Sequence, residues 1–302
     1  MIPALPAEFL ARSGREESWD RWLRGLPRLM TDVLGEWDLV PDGAVWTGET
    51  AAVLGVTTPT GKRAALKLGW PHPEAEHEHL ALRAWAGAGA VRLLRADPRR
   101  GVLLLERAEP GHDLGELPIV EACEVVANLY ARLHLPPLPQ LDRLSVHAAR
   151  WAEVLTTLRD TRQVPRRFVD QAIGLAAEFA RDPVTDSALI HGDLHFGNVL
   201  AAGRQPWLVI DPKPLAGDPA YEVAPLLANR WAEAVAGGAV RQALLERLFT
   251  VVDAAGLDED RVRDWVVVRE VVRVWWATQD GSPGPDADLL TRATTILKAV
   301  QR

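Results

Sequence analysis

The chain has 302 residues, 48% of them apolar and 25% charged, with a formal net charge of −7. At roughly 150 residues per domain this length implies about two domains or lobes, and such a chain buries roughly three quarters of its unfolded surface without covalent staples. A single cysteine, Cys123, excludes an intrachain disulfide, and no apolar run approaches the roughly 18 residues of a membrane span.

Residues 1–20 lack the basic stretch and continuous apolar core of a secretory signal, so a cytoplasmic protein is expected. Its acidity is not the electrostatic footprint of a nucleic-acid binder. The expected partners are small molecules, with no nucleic acid and no membrane, and the chain is expected to be a monomer or weak dimer.

Residues 8–34 read as one or two short helices broken near Gly25 and Pro27. Strands are expected at 37–46, 51–57 and 63–68, because β-rich runs joined by short turns form antiparallel hairpins. Prolines 71 and 73 end the third strand, and a helix rich in Ala, Glu and Leu follows over 74–85. Two more strands fit 91–95 and 102–106. Past 108–111 the period becomes helical, with helices expected at 119–134, 141–159, 165–181, 222–236, 239–255, 258–279 and 285–301. One β-type island, 189–210, interrupts them. The fold class is therefore α+β. A small antiparallel β lobe with one helix spans 1–106, a hinge spans 107–111, and a larger, mainly helical lobe spans 112–302.

The island holds the densest chemistry. It reads Ile190-His191-Gly192-Asp193-Leu194-His195-Phe196-Gly197-Asn198, then Leu208-Val209-Ile210-Asp211-Pro212-Lys213. Phosphoryl transfer asks a protein to align an acceptor oxygen and to neutralise charge on phosphates. One carboxylate must accept or orient the acceptor's proton, and hard oxygen ligands must hold Mg²⁺. Asp193 followed five residues later by Asn198 has the spacing of a kinase catalytic loop. Asp211 ends an apolar strand that can bring its carboxylate beside Asn198. Asp193 is thus the expected base, Asn198 and Asp211 the expected metal ligands, and the three should converge in space. A rival reading makes His191, Asp193 and His195 ligands of a transition metal in a hydrolase.

HGDLHFGN with IDPK resembles the motif of the aminoglycoside phosphotransferase family, relatives of the protein kinases. The longer string WLVIDPKPLAGDPAYEVAPLLANR is similar to the branch of streptomycin 6-phosphotransferases and hydroxyurea phosphotransferases. The resemblance covers about 37–280. It implies a protein-kinase-like two-lobed fold and ATP with Mg²⁺ as cofactors, although ATP and GTP are not distinguished. It also implies a lysine on the third strand for the α- and β-phosphates, paired with a helix glutamate. Lys67 fits the first. Glu78, on a face with Leu82 and Trp85, is chosen for the second over Glu74 and Glu76. The phosphate-covering loop is sought in 42–50, through Thr47, Gly48 and Thr50, although an ordinary hairpin turn fits it equally. Adenine is expected on the backbone of the lobe linker, at the carbonyl of Glu106 and the N–H of Ala108. The DFG of protein kinases is Asp211-Pro212-Lys213 here, and no APE-like segment follows, so switching by activation-loop phosphorylation is not expected. Asp218 is expected to cap a helix or brace the loop.

A cationic acceptor beside Asp193 would call for carboxylates and aromatic faces. Glu222, Glu270 and Asp280, with Trp275 and its neighbour Trp276, are the candidates. The expected reaction is phosphorylation of a hydroxyl on an aminocyclitol antibiotic, streptomycin first, giving resistance. The alternatives are a hydroxyurea or amino-sugar kinase and a nucleotide-binding pseudokinase sensor.

Overall fold

The structure, a computed structural model, describes residues 4–12, 16–279 and 284–301. It divides into two compact units, Met1–Pro110 with Ala201–Ile210, and Gly111–Leu200 with Asp211–Arg302.

The first unit opens with helices α1 (Ala7–Leu10) and α2 (Glu17–Glu36). Strands β1 (Val40–Thr47), β2 (Ala51–Thr57) and β3 (Arg63–Gly69) follow, then α3 (Glu78–Trp85), β4 (Leu93–Asp97) and β5 (Val102–Glu106). The strands make one antiparallel sheet in the order β1-β2-β3-β5-β4. Strand alternation sorts its two faces. Leu54, Val56, Leu66, Leu68 and Leu104 share a core with Trp19, Leu26, Met30 and Val33 of α2. Lys67 points to the opposite face, in register with Val53 and Leu103.

The break expected near Gly25 and Pro27 does not occur, because α2 runs through both. The two residues are exposed, whereas Leu23, Leu26 and Met30 are buried. Packing of that apolar face on the sheet outweighs one lost backbone bond. The helix expected over 74–85 begins only at Glu78, after a 3₁₀ turn at Pro73–Ala75.

The second unit runs through α4 (Ile119–Leu133), α5 (Leu144–Val154), α6 (Arg166–Phe179) and β6 (Ala188–Ile190) to β7 (Val199–Ala201). Strand β8 (Trp207–Val209) falls in the Ala201–Ile210 stretch of the first unit, and β9 (Leu215–Gly217) pairs antiparallel with β6. Helices α7 (Ala224–Ala228), α8 (Trp231–Ala236), α9 (Val240–Ala255), α10 (Glu259–Trp276) and α11 (Ala287–Ala299) complete it. Helix α10 is buried on most of its circumference, and its Trp265 stacks on Phe179 of α6 with ring centroids 3.9 Å apart. Among the described residues no helix is long and apolar enough to cross a membrane.

Two differences from the expected elements bear on the site. Segment Ala201–Ile210, expected with the helical lobe, groups with the first unit. Its Arg204 forks the Glu106 carboxylate at 2.8 and 2.9 Å and also donates to the carbonyls of Gly87 and Ala90. The single helix expected over 222–236 is instead a 3₁₀ turn at Pro219–Val223, then α7 and α8, with Arg230 left-handed between the helices (φ +47°). Buried Arg247 satisfies the carbonyls that the break exposes, at Leu227, Asn229 and Arg230.

Pro27→Ala restores a backbone donor on the exposed side of α2. It is expected to raise the unfolding free energy by about 2 kcal/mol, read from the urea midpoint at unchanged slope.

Candidate active site

In the first unit, Lys67 donates to both carboxylate oxygens of Glu78, at 2.7 and 2.6 Å. The side chains are 10% and 5% exposed. A lysine so buried needs an anionic partner, and α3 supplies it by burying Glu78 with Ala81, Leu82 and Trp85 on one face. Glu74 and Glu76 are exposed.

The loop sought over 42–50 is shorter than expected. Residues 42–47 belong to β1, with a register irregularity between Pro41 and Val45. Only 48–50 turn. Gly48 N–H donates to Ala51 O, Arg12 donates to Gly48 O at 2.7 Å, and Trp70 N–H donates to Thr50 O at 2.8 Å. The last bond ties the turn to the end of the strand that carries Lys67. Thr47 sits beside the turn, in register with Ala52. Glu106 ends β5 with its carboxylate held below the ordinary range: burial alone would raise it, but Arg204 and the backbone of Arg92 outweigh that. Ala108 is buried two residues on.

In the second unit, the loop after β6 turns at Gly192 in the left-handed region (φ +82°). A Cβ there would lie 2.1 Å from the carbonyl oxygen of Lys213, so only glycine allows the approach. Lys213 N–H donates to His191 O at 2.9 Å, which closes the contact from the other side. Asp193 is fixed through its main chain. Its N–H donates to Nδ1 of buried His191 at 3.3 Å, and its carbonyl accepts from Nδ2 of Asn198 at 2.8 Å. On its side chain, Oδ2 accepts from Lys213 Nζ at 2.7 Å. Asn198 immediately precedes β7, and Asp211 follows β8 by two residues. Asp211 is itself left-handed (φ +56°), a conformation that aspartate tolerates better than most residues.

The amide of Asn198 spends its donor side on Asp193, which leaves the carbonyl Oδ1 as its ligand atom. With the Asp211 carboxylate this is a hard-oxygen donor set, which suits Mg²⁺ and not a thiophilic metal. The rival cluster of His191, Asp193 and His195 is not formed. Among the described residues no three His, Cys, Asp or Glu side chains are grouped to hold a metal.

The acceptor candidates need correction. Glu222 is fully buried, accepts from Gly192 N–H at 2.7 Å and pairs with His134 Nε2 at 2.8 Å. It braces the loop from inside the protein. Burial would raise its carboxyl, but His134, His191 and the Gly192 N–H hold it below the ordinary value. Glu270 is buried beside Arg273 at 2.6 Å, and burial raises its carboxyl. Trp275 is buried too, because it continues the packed face of α10, while its neighbour Trp276 is 45% exposed. Asp280 lies outside the described residues. Asp218 is buried and structural: it accepts from Ala220 N–H, Arg261 and Trp265 Nε1.

Several bracing residues were not singled out from the sequence. Asn229 Oδ1 accepts from Phe196 N–H at 2.7 Å. Arg269 reaches the carbonyls of Tyr221 and Gly192 while lying 4.0 Å over the Tyr221 ring. His134 and Lys213 complete the set. All act across long sequence separations, and only the Lys213 position within IDPK gave any signal.

The fold is that of the protein-kinase-like phosphotransferases. Spectinomycin phosphotransferase, solved with ADP and spectinomycin, is similar with a TM-score of 0.60 over 90% of this chain and 97% of that one, at 11% identity. Residues 36–281 match the aminoglycoside/hydroxyurea antibiotic resistance kinase family, and the chain belongs to that family. It is 37% identical to streptomycin 6-kinase of Streptomyces glaucescens, over 98% of this chain and 96% of that protein. It is 39% identical to hydroxyurea phosphotransferase of Kitasatospora aureofaciens, over 93% and 81%.

Because the Glu222 carboxyl is held low, the folded chain binds fewer protons there than the unfolded chain as pH falls below the ordinary value of 4.5. Its stabilisation is therefore complete above that pH and lost below it. Glu222→Gln is expected to cost about 1–3 kcal/mol at pH 7 and to flatten the acid limb of stability. Urea midpoints of both proteins from pH 7 down to about 3 check this.

Proposed function

We propose that the protein transfers the γ-phosphoryl group of ATP to a hydroxyl of an aminocyclitol antibiotic, with streptomycin the first choice, and so confers resistance. The 37% identity to a streptomycin 6-kinase along almost the whole of both chains carries this reading. A cytoplasmic location, where ATP is supplied, belongs to this reading.

The first unit is assigned the nucleotide. Lys67, oriented by Glu78, answers the α- and β-phosphates, and the 48–50 turn with Thr47 offers backbone N–H groups and hydroxyls to phosphate oxygens. The backbone of Glu106 and Ala108 is assigned the adenine edge. Asp193 is assigned the acceptor. Its carboxylate orients the hydroxyl and takes the proton as the acceptor oxygen bonds to phosphorus and the bridging oxygen leaves with ADP. Asn198 and Asp211 would hold Mg²⁺, which supplies charge neutralisation on the phosphates. Exposed Trp276 offers a ring face to a guanidinium group, edge-on to Trp151, which in turn stacks with Tyr221.

A second reading, a kinase for hydroxyurea, is favoured by one observation. Glu222 and Glu270 both spend their charge inside the protein, so neither is left to attract a polycation. A small neutral acceptor does not need them.

Phosphate transfer from ATP should be measured for streptomycin, other aminocyclitols, amino sugars and hydroxyurea. Streptomycin is expected to be phosphorylated, with transfer cut about 10³-fold by Asp193→Ala while ATP still binds. Lys67→Ala should raise the ATP KM about 10-fold or more, through loss of a charge-assisted contact. Transfer to hydroxyurea alone would select the second reading. ATP binding without transfer to any acceptor would overturn both in favour of a sensor.

A further inference from the structure

We propose that Lys213 is the positioning residue for the acceptor base: its ammonium holds one oxygen of the Asp193 carboxylate and so aims the other at the acceptor hydroxyl. This inference rests on the kinase reading above.

Main-chain bonds already fix Asp193 on both sides, through His191 Nδ1 and Asn198 Nδ2. Rotation of the carboxylate is the freedom that remains. Lys213 removes it, with Nζ 2.7 Å from Oδ2, and among the described residues Oδ1 makes no hydrogen bond. A carboxylate free to rotate would present either oxygen in many directions, whereas in-line transfer needs the acceptor oxygen within narrow limits of distance and angle.

The ammonium is carried on a stiff support. Lys213 lies between Pro212 and Pro214, both buried, and proline fixes φ and restricts the residue before it. Its N–H is bonded to His191 O, and its carbonyl is packed where a side chain on Gly192 would be. Backbone 213 and the loop bearing Asp193 therefore form one rigid piece. These main-chain contacts survive any side-chain substitution at 213.

Fold stability does not account for the ion pair. The Lys213 and Asp193 side chains are 38% and 29% exposed, and pairs so open to solvent contribute little to stability. The effect of the pair is orientation.

In the step itself the acceptor O–P bond forms as the γ-phosphorus–bridging oxygen bond breaks. The hydroxyl proton passes to Oδ1 of Asp193, and the nucleoside diphosphate leaves with the bridging oxygen. Lys213 changes only the aim of the base.

The test uses the full-length protein with ATP and streptomycin, or whichever acceptor of the panel is phosphorylated. Lys213→Ala is expected to lower kcat about 10- to 100-fold, while the ATP KM stays within about twofold and the thermal midpoint is unchanged. Lys213→Met, which keeps the aliphatic stem, should behave alike, and Lys213→Arg should recover part of the rate. Because the lysine acts through Asp193, the double variant Asp193→Ala with Lys213→Ala should be no slower than Asp193→Ala alone. Unchanged kcat in both Lys213→Ala and Lys213→Met, or a further loss in the double variant, would overturn the inference while leaving the kinase reading standing. Absence of transfer by the wild type to any acceptor would remove both.

Discussion

A carboxylate with no solvent exposure must find its donors inside the protein, and Glu222 finds one in the Gly192 N–H and another in His134. That requirement sets the loop that follows. Once Gly192 hangs from Glu222, its left-handed turn brings the chain against Lys213 O, and Asp193 emerges with its main chain already tied. The helix break after α7 serves the same end, because it frees Asn229 to hold Phe196 N–H while Arg247 answers the exposed carbonyls. The loop that carries Asp193 is thus suspended from buried polar bonds, which cost free energy if left unmade.

The first unit meets a different constraint. Its sheet must bury one face under α2 and still keep a cation on the other. Alternation along β3 does both at once: Leu66 and Leu68 enter the core with α2, and Lys67 goes to the side where α3 delivers Glu78. A one-residue slip in β3 would exchange the two sets, leaving a lysine in an apolar core and leucines beside a glutamate. Hydrophobic burial therefore enforces the register on which the cation pair depends.

These two sites were not equally legible in the sequence. The resemblance implied a lysine–glutamate pair, and the helix period of about 3.6 residues was enough to choose Glu78 as the partner of Lys67. Asp193, Asn198 and Asp211 stood out through spacing and the strand ending at 210. What failed was tertiary. Glu222, Glu270 and Trp275 were placed in the acceptor region because charged and aromatic residues on helices near a catalytic loop suit a cation. The amphipathic pattern could not say that two of those carboxylates would be sealed against His134 and Arg273. The same blindness hid β9, a three-residue strand of Leu, Ala and Gly, and the continuity of α2, where packing overrides Pro27.

Basic residue usage sharpens the division. Only four of the 34 basic residues are lysines, and two of them hold carboxylates, Lys67 both oxygens of Glu78 in the first unit and Lys213 one oxygen of Asp193 in the second. Arginine does the carpentry. Arg204 ties together three stretches of the first unit, Arg247 closes a helix end, and Arg261 links Asp182 to Asp218. The split follows from the chemistry of the groups. A guanidinium offers a planar fork of donors that suits fixed carbonyls and carboxylates, and it loses little freedom once docked. An ammonium is a compact charge with three donors and no fixed plane, so it meets a single carboxylate without a fork of its own to match. Arginine accordingly ties fixed groups together, while Lys67 and Lys213 each meet a single carboxylate.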